Sequence, residues 1–512
     1  VDEFAPTFEA LHALSVLLCK LAEMELSDGD RESADAMFEE SLTISNQAVA
    51  QFGATEQSLN GLSFSLEVYG DFALSDGNIE LALELYDERL TVLRQIVEEF
   101  GATEENLSTL GSVLKQMGDL ASSDEYYASA HTFYEEFLAI CRQIVDEFGV
   151  SEERLHKICD ALNQFGAFVS VDEDEAVARA LFEESLSISQ QVVSEYGATI
   201  QSLEDVRMAF DRLAELDLSV GELDSARTSF EKALRIGRKI VSEFGETPVG
   251  LRNISVTLCQ IGEMAQSDGD RETASDAFEE SLDISRQIVA EFGATAQSLR
   301  DVSHSLLKIG ELELSAGNSY SPRDFFEESL SICRQIVEKF GATTLDLHDI
   351  SRLLNELGAI KKSHGDTEAA RELFEESLKT SRQVVNELEV TEEGLYYVCV
   401  ALNQVGDCAI LEEKLDLART IFDEMLSIIQ QILSEYDESA ENLRVHCVSL
   451  IRAGDVELND GNREVASTRF EEALTVSRRI VAEFGAEPQN LEDIALITER
   501  LRLMDDETWI QE

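Results

Sequence analysis

The chain has 512 residues, 44% of them apolar, and its 103 acidic side chains against 40 basic ones leave a formal net charge of -63. So negative a surface repels phosphate, which argues against nucleic acid and anionic membranes as partners. No run of 18 apolar residues occurs, and only four prolines interrupt the chain, so the composition favours long soluble-type helices over membrane spans.

Read from the start, Val1-Asp2-Glu3-Phe4 has the letters that close a later helix at residues 145–148, and the expectation is that it ends a preceding helix. Thr7 then stands before an apolar-periodic stretch, the place of a helix N-cap. Leu11 opens an i, i+3, i+4, i+7 stripe that predicts a first amphipathic helix of about 20 residues. The turn SDGD at 27–30 follows, where glycine suits a left-handed residue closing one helix and the acid after it caps the next. A second stripe, with Ala34 and Phe38, predicts a helix of about 22 residues ending near Gly53.

The whole unit then recurs. The closing glycine returns as Gly101, Gly149, Gly197, Gly245, Gly293, Gly341 and Gly485, with Glu389 and Asp437 at the two intervening places, always 48 residues apart. A period of about 20–50 residues signals a solenoid and overrides any domain count drawn from length. Ten repeats therefore fill residues 1–484, starting at 5, 53, 101, 149, 197, 245, 293, 341, 389 and 437, with residues 1–4 ending a preceding helix. Residues 485–512 form a terminal helix and tail. Counting each repeat's start as position 1, position 3 is Thr or Ser, position 7 is Leu, and position 34 is Phe or Tyr in every repeat. Two breaks stand out. Pro322 replaces the usual alanine in repeat 7, which suits a helix starting late, capped by Ser321. In repeat 9 Glu413 replaces the turn glycine and Glu389 the inter-repeat glycine, predicting a local change of superhelical pitch over repeats 7 to 9. The segment holding Trp509 abandons the pattern.

These positions carry a resemblance. Gly262, Ala274, Phe278 and Ser281 match the small, Ala, aromatic, small pattern of tetratricopeptide repeats, as do Gly70, Ala82 and Tyr86 at the first three places, and Gly or Ala fills the first place in all ten repeats. The usual unit of that family is about 34 residues, so these helices are about two turns longer each. In that respect the chain resembles bacterial arrays fused to signalling ATPases or CHAT peptidases. The resemblance implies an all-α, right-handed superhelical solenoid of antiparallel helix pairs with a concave face lined by the first helix of each pair. It further implies partner-binding positions at 12, 15, 16, 19 and 22. These include acids at Glu23, Asp71, Asp119, Glu215, Glu263, Glu311, Asp407 and Asp455, and amides at Asn163, Gln164, Asn355, Asn403 and Gln404. The amides could hydrogen-bond an extended backbone. Within one helix, Lys20 with Glu23, Arg212 with Glu215 and Lys308 with Glu311 have the i, i+3 spacing of an ion pair.

Chemistry was sought elsewhere. No phosphate loop and no nucleophile elbow occur. His12, His156 and His348 share position 8 in distant repeats, too far apart for one metal. Asp28, Asp30, Asp268 and Asp270 in the turns tempt a calcium reading, but they lack the spacing of an EF-hand loop, and helix punctuation explains them. The eight cysteines, without CxxC spacing, fall where other repeats carry small residues and read as buried thiols of a reducing, cytoplasmic setting. Arginine at position 42 in seven repeats predicts an ion-pair ladder with carboxylates of the same or adjacent helix. The expected function is a non-enzymatic scaffold, without cofactor or metal, that holds a basic or polar peptide or protein in an acidic concave groove as the sensor or regulatory arm of a larger bacterial protein. The alternative is self-association by end-to-end stacking into oligomers or fibres.

Overall fold

The computed structural model describes residues 7–121, 127–171, 174–317, 321–388, 390–436, 438–485 and 488–505. The expected helix end at residues 1–4, the two inter-repeat places Glu389 and Asp437, the cap side chain of Ser321 and the tail with Trp509 lie outside the described residues and side chains. The chain divides into two compact units, Val1–Gly250 and Leu251–Glu512. The first holds α1 (Phe8–Asp28), α2 (Arg31–Phe52), α3 (Glu56–Ser75), α4 (Ile79–Phe100), α5 (Glu104–Leu120), α6 (Tyr127–Phe148), α7 (Glu152–Val171), α8 (Glu175–Tyr196), α9 (Ile200–Ser219) and α10 (Leu223–Phe244). Helix α11 (Pro248–Ser267) leads into the second, with α12 (Arg271–Phe292), α13 (Ala296–Ser315), α14 (Ser321–Phe340), α15 (Thr344–Ser363), α16 (Thr367–Gln383), α17 (Glu392–Leu411), α18 (Leu415–Glu435), α19 (Ala440–Asn459), α20 (Arg463–Phe484) and α21 (Pro488–Asp505). The protein is an all-α helical repeat solenoid, and among the described residues there is no strand. Odd-numbered helices are the first of each pair (helix A) and even-numbered ones the second (helix B).

Local chemistry starts and stops each helix where the sequence places it. Thr7 and Thr103 accept from the backbone N–H three residues on, removing one of the four orphan donors of a helix start. At Thr55, Thr199 and Thr295 the serine three residues later returns a bond to the cap backbone, a capping box built with serine where glutamate is more usual. In the turn, Gly29 is left-handed at φ 88° and Asp30 caps α2 through the N–H of Ser33. Helix α14 is described from Ser321, and the residues that would show where it starts lie outside the described residues.

The pairs are held by a close approach. A Cβ built on Gly262 of α11 would stand 2.5 Å from the Phe278 ring of α12, and the same clash arises between Gly70 and Tyr86 at 2.7 Å. Real Cβ atoms do not come so near, so helix A can lie on the ring only because glycine carries no side chain there. Around that contact runs a buried hydroxyl seam. Ser255 of α11 meets Ser281 and Ser285 of α12, both at 2.8 Å, and Ser281 meets Ser305 of α13 at 3.1 Å. Ser15, Ser41, Ser45 and Ser65 repeat the constellation five units earlier. Thiols join it: Cys19 lies 3.1 Å from Ser41, and Cys333 lies 3.0 Å from Ser303. Cys19 and Cys333 are thus hydrogen-bonded partners as well as packing groups, and all eight cysteines are free and buried. Burial pushes the Cys141 and Cys399 thiols up to about 12, which keeps them protonated and unreactive.

The sequence breaks are realised locally. The B helices of the regular repeats leave through glycines such as Gly293, at φ 97° and ψ 159°, a region open essentially to glycine alone. Repeat 8 lacks that glycine, and α16 runs instead into a π-helical turn, Val384–Leu388. The A-to-B turn of repeat 9 keeps its shape without glycine: Glu413 adopts φ 59°. A left-handed residue with a Cβ costs about 1–2 kcal/mol. Glu413→Gly is therefore expected to stabilise the second unit by about 1 kcal/mol in chemical unfolding; an unchanged or lowered midpoint would contradict the strain at this turn.

Candidate functional site

The expected partner-binding positions lie on the A helices, and the structure shows what surrounds each. In the first unit the acids are met mainly by neutral donors. Tyr86 donates to Asp71 at 2.5 Å and Gln116 to the same carboxylate at 3.3 Å. Tyr134 donates to Asp119 at 2.6 Å. Burial, then the bond to the carboxylate, raises both phenols above their ordinary range. Glu23 is exposed, and Glu215 pairs within its helix with Arg212 at 2.9 Å, as the spacing predicts.

In the second unit the same ladder is cross-linked by cations from neighbouring repeats. Lys308 reaches back to Glu263 at 2.5 Å, while its in-helix partner Glu311 is 3.9 Å away and is held chiefly by Arg352. Asp407 takes Lys362 at 2.9 Å and Arg452 at 3.3 Å, and Arg500 clasps Asp455 through two bonds of 2.6 and 2.9 Å. The i, i+3 pair of Lys308 is therefore present but is the longer of two: Glu263, 45 positions away on the adjacent A helix, is nearer than the next turn of its own helix. In this unit Glu263, Glu311, Asp407 and Asp455 are each ion-paired. The position-42 arginines do form a ladder, on the B helices. Arg94–Glu136, Arg142–Glu184, Arg286–Glu328, Arg334–Glu376 and Arg382–Glu424 all join residues 42 apart, at 2.5–2.7 Å. With both partners about half exposed, each contributes little singly.

The amides behave differently. Asn163 is buried, and Asn355, Asn403 and Gln404 are half-buried. The side-chain oxygens of Asn163, Gln164, Asn355 and Asn403 are shielded from solvent without a hydrogen-bond partner among the described residues, an arrangement that costs free energy unless something donates to them. One of them, Asn403, opens into a cavity of about 480 Å³. Its walls come from three successive repeats: Tyr396 and Val400 on α17 with Met425 on α18, Glu441, Arg444 and Val448 on α19 with Phe484 on α20, and Asn490 on α21. Burial pushes the Tyr396 phenol up to about 12, and its bond to Glu441 adds to that shift. The result is a largely apolar recess with an acceptor, a carboxylate and a guanidinium at its edge. Sequence reasoning named Asn403 but not the recess, which exists only where three repeats converge. Helix α17 is also the one described helix long and apolar enough to cross a membrane, at mean hydropathy 1.3, yet its Leu395, Val398, Leu402 and Val405 are buried in the core with α16, α18 and α19.

The histidines of position 8 go separate ways. His156 faces Asp205 at 2.9 Å, and that bond raises its pKa. The His348 ring lies 4.5 Å from that of Tyr397, tilted by 38°, and burial lowers its pKa. Among the described residues no group of three or more ligands is placed to hold a metal ion.

Helix pairs locked by a small residue under a ring, repeated at a fixed interval, define the class: a helical repeat protein. Residues 351–387, spanning the second half of α15, α16 and the turn after it, match the tetratricopeptide repeat family. No curated protein matches the sequence. Among solved structures, BtubC from P. vanneervenii is similar over 52% of this chain and 94% of its own, at 16% identity and a TM-score of 0.41. The apo form of RapI is similar over 77% and 96%, at 10% identity and 0.48. The APC/C hetero-tetramer Cut9–Hcn1 is similar over 94% and 89%, at 13% identity and 0.34.

One carboxyl in the A-helix layer gives a pH signature. Asp349 of α15 lines a second cavity with Arg300 and His304, and burial pushes it up to about 6 against the opposing pull of Arg352. The native state then keeps a proton that the unfolded chain sheds near the ordinary carboxylate value. Stability from this group is highest at low pH and is lost as pH rises from about 4 through 6. Asp349→Asn should therefore melt above the parent at pH 7.5, with the gap narrowing toward pH 5; equal melting points at pH 7.5 would contradict it.

Proposed function

We propose that the array is a non-enzymatic interaction scaffold that holds an extended peptide segment of a protein partner along the A helices of its last repeats. Tetratricopeptide repeats mediate protein–protein interaction and scaffolding, and the finer reading rests on one observation. The recess beside Asn403 combines apolar walls with a shielded carbonyl oxygen that has no donor among the described residues. An apolar side chain seated between Val400 and Val448, with its backbone N–H donating to Asn403, satisfies both. The ion-paired floor at Asp407 and Asp455 can exchange its own cations for basic groups of the partner, so a polar or basic segment with one apolar anchor fits the site. Enzymatic chemistry finds no support in the site's residues. The eight free, buried thiols support a reducing, cytoplasmic setting. The role of sensor or regulatory arm in a larger bacterial protein rests on the resemblance to fused arrays alone.

Peptides selected from a random library against the immobilised chain test this reading. Asn403→Ala and Val448→Trp, the second filling the recess, should each weaken the selected peptides at least tenfold while leaving the thermal melt in place. Glu263→Gln on α11, three repeats before the recess, serves as a control and should leave affinity unaltered. Affinities unchanged in both recess variants would refute the site.

A further inference from the structure

At the start of α17 and α19 lies a further cavity, of about 510 Å³, within the range of small-ligand sites. Two consecutive tyrosines of α17, Tyr396 and Tyr397, line it, with ring centroids 5.9 Å apart and planes at 80°. In no other repeat do positions 8 and 9 both carry an aromatic ring, so this corner is not a by-product of the repeat pattern. Three carboxylates join the rings: Glu392 and Glu393 from α17 and Glu441 from α19. Among the described residues no lysine or arginine lines the cavity, whereas the two cavities described above include Arg444 and Arg300. The partners of the carboxylates are also not fixed cations. Asn442 donates to Glu392 at 2.6 Å, the Tyr396 hydroxyl bonds to Glu441, and His348 stands 3.7 Å from Glu393. Burial lowers the pKa of His348, so it brings no positive charge at neutral pH. The charge of Arg352 reaches Tyr397, but Glu311 holds that guanidinium. Each helix start contributes about half a positive charge, too little to offset three full negative ones.

We propose that this cavity binds a methylated ammonium group, carried either by a free quaternary-ammonium molecule or by a trimethylated lysine side chain. A bare metal ion needs several ligands converging on one point, and among the described residues no group of three or more His, Cys, Asp or Glu does so. A methylated ammonium spreads its charge over an apolar shell. Aromatic faces attract it through their quadrupole, and nearby carboxylates add to the attraction without direct bonds. An unmodified lysine ammonium is compact and strongly hydrated, and burying it against two rings leaves its donors unmet. The cavity shares Tyr396 and Glu441 with the recess beside Asn403, but the inference stands whether or not a peptide fills that recess.

Titration calorimetry with choline on the full 512-residue chain tests this. Choline should bind saturably, and the dimethylbutanol that is its uncharged carbon isostere should bind at least tenfold more weakly. Tyr396→Leu combined with Tyr397→Leu should weaken choline at least tenfold with an unaltered circular-dichroism melt, Tyr397→Phe should retain the parent affinity, and Glu393→Gln should lose several-fold. Val448→Trp, which fills the neighbouring recess, should leave choline binding as it is, so failure of the peptide site and failure of this cavity are read separately. A short glycine-flanked trimethyllysine peptide that binds more tightly than choline identifies a modified protein as the source; choline binding as tightly or more tightly identifies a free cation. No saturable binding of either probe, equal affinity for the uncharged isostere, or an unchanged affinity in the folded leucine double variant overturns the proposal. Should that variant not fold, the isostere comparison on the parent chain decides.

Discussion

The structure depends on how closely a glycine of helix A approaches an aromatic ring of helix B. At Gly262 and Phe278, Gly406 and Phe422, and Gly454 and Phe470 there is no room for even one methyl group between backbone and ring. That contact fixes the spacing of the pair, and the spacing in turn brings serine and cysteine hydroxyls and thiols of both helices into hydrogen-bond range. A buried polar seam is stable only when its members are satisfied. Here the third partner often comes from the next repeat, as Ser65 and Ser305 do, so each unit is completed by its successor and no single repeat carries a finished core. Ala22 and Ala214 occupy the glycine position in repeats 1 and 5 and are fully buried, so those two pairs accommodate a methyl group that the glycine pairs do not.

Much of this is legible in the sequence because it is local. Caps such as Thr55 and Asn78, the left-handed turn at Gly29 and the apolar stripes are set by residues within one or two turns of each other. The substitution of cysteine for serine at matching positions was visible as a choice of small residue, but that these groups bond to one another required the helix spacing. The break at Glu389 was visible too; its outcome, a π-helical turn at Val384–Leu388, was not, because nothing in the letters says whether a helix without its terminal glycine ends early or rewinds.

The candidate site was less legible, for a geometric reason. Charges on a helix invite pairing at i, i+3 or i, i+4, yet Lys308 prefers Glu263 and Arg500 takes Asp455 on the neighbouring A helix. With a 48-residue period, side chains 42 or 45 positions apart are nearest neighbours between layers, so the ladder is neutralised by interactions that span repeats. Strong pairing of the acids leaves the unpartnered amides, above all Asn403, as the groups whose hydrogen bonding is still to be completed. Repetition explains the packing; the proposed recognition site lies where one repeat differs from the rest.

The central claim, that the close approach of glycine and ring sets the geometry of the pairs that carry it, is tested most directly by a double-mutant cycle in chemical unfolding. Gly262→Ala alone should cost about 1–3 kcal/mol by overpacking, and the same change in a Phe278→Leu background should cost much less, giving a coupling of about 1 kcal/mol or more. Strict additivity of the two changes would mean that the methyl group never meets the ring, and would contradict the account.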